Sequence, residues 1–280
     1  MSVLTPVPRT VASVRPRALA AVVAGVSLTA LVAVVALSTR AGQDLDGRAF
    51  YAVVVSRDSL VTVLSVLGRV SIAAVLAVVV VCTLVALARR SVLLAVAAVG
   101  LVVGANVTTQ VLKRVVLDRT TFDWDLPNSL PSGHTTAVVA GVGALGLVAP
   151  VVLRPLLAPV GAFVVTLVGS STVVAGWHRP SDVLAALAVT LAWTGVAALV
   201  AGGPRDASGT RATVTVAGAL LGAFAATVVL VMIGARPTAG WDGVVPAVLV
   251  HGTLAVATAL AVSAMCLVSP VRPVDAPAQP

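Results

Sequence analysis

The chain of 280 residues contains no glutamate and a single lysine, Lys113, and only 10% of its residues are charged. Soluble domains have about 25% charged residues, so this composition excludes a water-soluble fold. Disordered chains are poor in apolar residues, whereas this chain is 59% apolar, which excludes disorder as well. The composition therefore predicts an integral membrane protein.

Cysteine and aromatic residues are also scarce. The two cysteines, Cys82 and Cys266, lie inside apolar runs and are expected to be small buried side chains rather than a disulfide or a metal pair. Aromatic residues amount to 3%, and the arginines are scattered among apolar runs without forming a basic stripe. A nucleic-acid partner is therefore not expected, in spite of the net charge of +8.

Eight apolar stretches are each long enough to cross about 30 Å of hydrocarbon as a helix. They are residues 18–38, 69–88, 91–112, 135–153, 156–175, 182–201, 212–234 and 244–268. Backbone N–H and C=O groups must be paired inside a bilayer, so these stretches are predicted to be helices. The predicted fold class is all-α, a polytopic membrane helix bundle with about eight transmembrane helices.

The loops divide the chain into four predicted segments. Residues 1–17 are expected to be a cytoplasmic N-terminal segment, 18–201 a membrane core, and 202–268 a region with two additional transmembrane helices. Residues 269–280 contain four prolines and are expected to be a disordered tail. Residues 40–68 are the longest stretch between spans, and their apolar pieces either lie on the membrane or extend the second span.

The distribution of basic residues predicts the orientation of the bundle. With the N-terminus inside, nine arginines fall in inside loops and nine basic residues in outside loops. The outside count drops to six when Lys113, Arg119 and Arg179 are treated as functional-site residues and left out of it. The N-terminal segment also carries three arginines and no acid, so both termini are predicted to be cytoplasmic.

Polar and ionisable residues that could take part in catalysis are concentrated in two loops. The first runs from Lys113 through Arg119 to Pro131-Ser132-Gly133-His134, and the second reads Gly176-Trp177-His178-Arg179-Pro180-Ser181-Asp182. Two spans separate these loops, which places them on the same membrane face.

The residue types in these loops suit a phosphate ester. Lysine, arginine and the backbone N–H groups around Ser132-Gly133 are typical of a site for a phosphate-sized anion. His134 and His178 provide one nucleophile or base and one acid near neutral pH. Asp182 follows His178 by four residues and is spaced to accept one ring N–H and orient the ring. The sequence therefore predicts phosphate-ester chemistry at the membrane surface.

These residues resemble the three-part motif of the type 2 phosphatidic acid phosphatase superfamily over about residues 70–201. The resemblance implies a six-helix lipid-phosphatase core that needs no metal and no other cofactor. It implies that His178 attacks phosphorus to form a phosphohistidine, that Asp182 orients His178, and that His134 protonates the departing alkoxide and later activates water. The phosphoryl oxygens are then held by Lys113, Arg119 and the backbone of Ser132 and Gly133.

The chain departs from the family pattern at two places. The family usually has six residues between the lysine and the arginine, and a proline after the arginine; here five residues intervene and Thr120 follows. A helix ending near Leu117 would let a loop bring Arg119 to the site. The family also has an arginine six residues before the second histidine, where this chain has Thr172. Arg179, or alternatively Arg114, is the candidate to replace that phosphate ligand.

Together these observations predict a phosphatase that hydrolyses a lipid phosphate or diphosphate on the extracytoplasmic face of a bacterial cell membrane. Candidate substrates are a polyprenyl diphosphate, phosphatidic acid and phosphatidylglycerol phosphate. The alternatives are a phosphotransferase with the same intermediate, and a non-catalytic lipid-binding or transport protein, which Thr172 favours. Asp118, Asp123 and Asp125 are expected to be solvated, and His251 to form a hydrogen bond between packed helices. The sequence makes no prediction of oligomeric state.

Overall fold

The computed structural model describes residues 11–120, 122, 127–206 and 209–271. Within these ranges the chain forms ten α-helices, which confirms the all-α prediction. They are α1 (Arg15–Ser38), α2 (Arg40–Phe50), α3 (Arg57–Gly68), α4 (Ile72–Ala88), α5 (Val92–Val111), α6 (Gly133–Val148), α7 (Arg154–Val174), α8 (Pro180–Ala201), α9 (Gly209–Ile233) and α10 (Val244–Val268). A π-helical turn, Leu112–Val116, follows α5, and a 3-10 turn, Val151–Leu153, precedes α7.

Two short antiparallel strand pairs join loops at the ends of the bundle. Strand β1 (Val11–Ser13) pairs with β3 (Pro204–Asp206), and β2 (Val53–Val54) pairs with β4 (Arg236–Pro237). Residues 1–10 of the predicted N-terminal segment and 272–280 of the predicted tail lie outside the described residues.

In the described part of the chain, six helices are long and apolar enough to cross a membrane, namely α1, α5 with its π-helical turn, α7 with its 3-10 turn, α8, α9 and α10. Helices α3 and α4 meet the same criteria as a pair that bends by 41° at their junction. The apolar pieces of residues 40–68 lie around β2 and in α3, which leads into α4, so both expectations for them stay open. Each predicted span thus coincides with a helix, and the six long apolar helices indicate an integral membrane protein.

Helix α6 is shorter than predicted and ends at Val148 rather than near 153. Pro150 explains the difference, because a residue before proline is pushed out of the helical region, and Ala149 is extended with ψ 142°. At 1.5 Å per residue, α6 is about 24 Å long. It contacts α4, α5, α7, α8 and α10, so this short helix lies inside the bundle.

Helix α8 lies near the centre of the bundle and contacts α1, α5, α6 and α10. Glycines allow its backbone to approach α1 closely. A Cβ at Gly25 would lie 2.5 Å from the Ala192 nitrogen, and a Cβ at Gly195 would lie 2.5 Å from the Ala18 oxygen. Close backbone approach through small residues is a common way to pack helices in membranes. The first turn of α8 is therefore attached to a firmly packed helix.

Helices α9 and α10 complete the bundle beyond α8. Helix α9 packs against α7, and α10 packs against α7, α8 and α9. At the end of α10, the buried Arg154 donates hydrogen bonds to the carbonyl oxygens of Ser269 (2.7 Å) and Pro270 (2.5 Å). These contacts attach the first residues after α10 to the start of α7.

Candidate active site

The segment from Lys113 to Arg119 leaves the α-helical geometry before it reaches the arginine. Lys113 lies in the π-helical turn after α5, and the chain becomes extended at Leu117. The prediction that the helix ends near Leu117 is therefore confirmed. Asn128 holds this end of the helix, since its Nδ2 donates to the carbonyl oxygens of Lys113 (3.2 Å) and Leu117 (3.0 Å). Loop contacts rather than helical register thus set the direction of Arg119.

His134 is the second residue of α6, whose N-cap is Ser132. The buried Ser132 hydroxyl accepts hydrogen bonds from the N–H (3.4 Å) and the hydroxyl (3.0 Å) of Thr135. The Ser132 N–H is used as well, because it donates to the Asp182 carbonyl oxygen at 3.0 Å. The His134 ring lies 5.4 Å from the ring of Trp177, between centroids. The first turn of α6 is thus joined directly to the loop before α8.

His178 and Asp182 form a buried pair at the start of α8. His178 Nδ1 lies 2.9 Å from Asp182 Oδ2, and the two side chains are 10% and 1% exposed. The same Oδ2 accepts the Arg179 N–H at 3.0 Å and the Ser129 hydroxyl at 2.5 Å. A carboxylate only accepts hydrogen bonds, so Nδ1 is the ring nitrogen that donates to Asp182, and in the neutral form of that tautomer the lone pair lies on Nε2. This arrangement fixes the orientation of the His178 ring.

Thr172 holds the loop before His178 instead of contributing a charged side chain. Its carbonyl oxygen accepts the N–H groups of Trp177 (3.0 Å) and His178 (3.1 Å). Its hydroxyl is buried and donates to the Gly169 carbonyl oxygen at 2.7 Å. Thr172 therefore has a structural role at the position where the family carries an arginine.

The cationic side chains predicted for the site are close to these groups. Burial and the neighbouring Arg179 lower the pKa of Arg119, while Asp46 and Asp182 act in the opposite direction. Lys113 interacts electrostatically with Asp182, and His134 interacts with both His178 and Lys113. The structure thus brings together all three predicted catalytic residues with Lys113, Arg119 and Arg179.

Two arginines of this cluster present buried N–H donors that have no hydrogen-bond partner in the described part of the chain. They are Nε and Nη2 of Arg119 and Nε of Arg179. The Nη1 of Arg179 donates to the Ser129 hydroxyl at 3.0 Å and the Pro127 carbonyl oxygen at 3.3 Å. Leaving such donors unpaired costs about 1–3 kcal/mol or more for a charged group. An anion bound between these side chains would remove that cost.

Several residues that position the site were missed in the sequence. Ser129, Gln43, Asp46 and Ser181 all form hydrogen bonds around it. The sequence feature that could have identified two of them is the polar stretch 40–48. Gln43 and Asp46 are spaced three residues apart in it, as on one face of a helix. That stretch looks like a solvated loop, and only its packing shows that the polar face is buried.

The remaining candidate residues lie apart from this cluster or form other contacts. Arg114 and Asp118 are exposed, and Asp123 and Asp125 lie outside the described residues. The predicted hydrogen bond of His251 is not found, because both of its ring nitrogens are buried without a partner among the described residues. No group of three or more metal-binding side chains occurs in the described ranges.

A comparison with protein families identifies the region that contains this cluster. Residues 93–203, about two fifths of the chain, match the family model of the PAP2 superfamily. The match runs from α5 to the residues just after α8 and includes every predicted site residue. It confirms the resemblance seen in the sequence and supports a membrane phosphatase. No curated protein and no solved structure matches the chain at a significant level.

Proposed function

Because residues 93–203 carry a PAP2 superfamily domain, we propose that the protein hydrolyses a lipid phosphate or diphosphate through a phosphohistidine on His178. The observation that carries the proposal is the buried pair of His178 and Asp182, with Lys113, Arg119, Arg179 and His134 around it. A histidine oriented by a carboxylate is a typical activated nucleophile.

The first step transfers the phosphoryl group to the enzyme. The Nε2 lone pair of His178 attacks phosphorus, and the P–O bond to the lipid breaks with its electron pair on the departing oxygen. His134 donates a proton to that oxygen, so the lipid leaves as an alcohol or as a monophosphate. Asp182 stabilises the positive charge that develops on the His178 ring.

The second step returns the enzyme to its starting state. His134, now neutral, accepts a proton from a water molecule while the water oxygen attacks phosphorus. The P–N bond breaks, its electron pair returns to His178 Nε2, and inorganic phosphate leaves. Each histidine thus ends with the protonation state with which it began.

Charge stabilisation in both steps comes from the cations and from the N-terminus of α6. Phosphoryl transfer depends mainly on positioning and on neutralising the phosphoryl oxygens. Lys113, Arg119 and Arg179 supply the positive charge. Gly133 and His134 open α6, where backbone N–H groups have no acceptor within the helix. Ser132 contributes by holding this turn, since its own N–H is bonded to Asp182.

Arg179 is the residue that we assign to the ligand position left open by Thr172. Arg179→Lys is expected to lower kcat/KM by about 10²- to 10³-fold, because lysine keeps the charge but loses the planar pair of donors. The measurement is phosphate release by the folded variant beside Arg114→Lys. Arg114 is exposed, so its variant should retain wild-type activity. Equal losses in the two variants would contradict the assignment.

A cavity of about 440 Å³ beside the site supports a lipid substrate. It lies between α1, α2, α8 and α10, with Asp46 and Ser181 in its wall, and most of its other lining residues are aliphatic. A lipid chain in such a cavity would place its phosphate next to α8. We place the site on the extracytoplasmic face of the bacterial membrane, as the arginine distribution predicts.

Phosphate release by the purified protein in detergent, with EDTA present, tests the proposed function. The substrates are a polyprenyl diphosphate, phosphatidic acid and phosphatidylglycerol phosphate, and release is expected from at least one of them. Transfer of phosphate to an added alcohol, with little free phosphate, would favour the phosphotransferase. A folded protein that releases phosphate from none of the three would favour the non-catalytic alternative.

A further inference from the structure

Helix α2 lies against the first turn of α8 and has a polar face that is buried rather than solvated. Gln43 is fully buried and Asp46 is 7% exposed, although both belong to the most polar stretch of the chain. Burying polar side chains of this kind is costly unless they form hydrogen bonds. Their contacts therefore indicate what the helix does.

Gln43 connects α2 to the loop that carries Arg119. Its Nε2 donates to the carbonyl oxygen of Thr120 at 2.5 Å and to that of Leu37 at 2.8 Å. The Thr120 N–H in turn donates to the Leu37 carbonyl oxygen at 3.1 Å. The residue after Arg119 is thus held against the junction between α1 and α2.

Asp46 connects the same helix to α8. Its Oδ2 accepts the Ser181 hydroxyl at 2.6 Å, and its Oδ1 accepts the Ser181 N–H at 3.1 Å. Ser181 is the second residue of α8 and lies between Arg179 and Asp182 in the sequence. A carboxylate at this point also interacts favourably with the positive end of the helix dipole.

The charges around Asp46 are those of the candidate site. The charges of Arg179, the N-cap of α8, and of Asp182 act on the Asp46 carboxylate, and Asp46 in turn acts on Arg119. Helices α1 and α10 also contact α2, and the residues that they place beside Asp46 in the cavity wall are aliphatic or threonine. The two arginines are therefore the cations on which the charge of Asp46 acts.

We propose that Asp46 is a positioning residue whose carboxylate, bonded to Ser181, sets the first turn of α8 and draws Arg119 and Arg179 into the phosphate site. The catalytic effect of Asp46 in this inference rests on the proposed phosphatase function. Asp46 is not proposed to contact the phosphoryl group. It acts through Ser181 and through the two guanidinium groups.

Burial raises the pKa of Asp46 to about 6, against the opposing effect of its hydrogen bonds with Ser181. The unfolded value is 3.8, so the folded protein binds this proton more tightly than the unfolded chain does. The stability contributed by Asp46 is therefore present at low pH and is lost as the pH rises through about 6. The negative charge of Asp46, which is proposed to position the arginines, is present above a pH of about 6.

The test compares Asp46→Asn with wild type across pH 5 to 8. At pH 8 the variant is expected to lose up to about 100-fold in kcat/KM, because displaced cations no longer match the phosphoryl group. The ratio of wild-type to variant kcat/KM is expected to fall toward one as the pH drops below 6. Titrations that are common to both proteins cancel in this ratio.

Two further readouts separate positioning from a loss of folding. The melting temperature of Asp46→Asn at pH 8 should be equal to or above that of wild type, because the variant removes a buried charge; a lower melting temperature would indicate a merely structural role. Asp44→Asn is the matched control, since Asp44 lies on the same helix, 43% exposed, and pairs only with Arg48 at the surface among the described residues. It should behave as wild type. A ratio of wild-type to variant kcat/KM near one at pH 8 would overturn the proposal.

Vanadate binding distinguishes failure of this proposal from failure of the proposed function. Orthovanadate affinity at pH 8, measured by calorimetry, is expected to be weaker for Asp46→Asn than for wild type, whether or not a physiological substrate has been found. Equal affinities would overturn the role of Asp46 while leaving the phosphatase intact. An absence of vanadate binding in wild type would overturn the anion site and both proposals with it.

Discussion

Replacing His178 with alanine is expected to abolish phosphate release from every substrate, with a loss of about 10⁶-fold in kcat, the effect of removing a nucleophile in a well-studied hydrolase. The reason is that the proposed mechanism passes through a bond between phosphorus and His178 Nε2, and no other described histidine is paired with a carboxylate. Rapid acid-free quenching with radiolabelled substrate should trap a phosphoenzyme in wild type and none in the variant.

The chain offers a matched control for this experiment. His251 is also buried but matches no motif and lies outside the PAP2 match, so His251→Ala should keep its phosphate release. Added imidazole is expected to restore part of the activity of His178→Ala, because the space left by the ring lies beside intact phosphate ligands. Undiminished turnover by His178→Ala would refute the phosphohistidine and require another nucleophile.

Asp182→Asn is expected to lower kcat by about 10⁴-fold, as the equivalent change does in a serine protease triad. Asparagine can accept the ring N–H of His178 but carries no charge to stabilise the imidazolium that forms during attack. It must also replace an oxygen that accepts three hydrogen bonds, from His178, Arg179 and Ser129. Steady-state kinetics on the folded variant measure the effect.

The loss should appear in kcat more than in KM, because the ring charge exists only along the reaction path. Asp118→Asn is the control, since Asp118 is exposed in the loop after α5 and accepts only the N–H of Arg119 among the described contacts. If Asp182→Asn retained more than a tenth of wild-type kcat, the orienting role of Asp182 would be wrong.

The sequence alone determined the membrane bundle and the loops that hold the chemistry. A bilayer leaves an apolar stretch few options other than a helix, so the hydropathy of the chain predicts each span without tertiary information. Two spans between the polar loops place His134 and His178 on one face. The spacing of His178 and Asp182 is local, one helical turn, and needs no distant contact.

The two errors along the chain have different origins. Helix α6 was predicted to continue to 153, but Pro150 ends it, which local rules explain once the turn is known. The hydrogen bond expected for His251 is absent among the described residues. That expectation required a partner on another helix, and hydropathy does not say which side chains meet across a helix interface.

Only the tertiary structure decided how the site is supported. Asp46 and Ser181 are 135 residues apart in the chain, and Gln43 and Thr120 are 77 apart, so no local pattern connects them. A polar helix face looks the same in sequence whether water or another helix covers it. Burial turned these residues into partners of the catalytic loops, because a buried carboxylate or amide must find hydrogen bonds and the nearest donors and acceptors are those around Arg119 and Arg179.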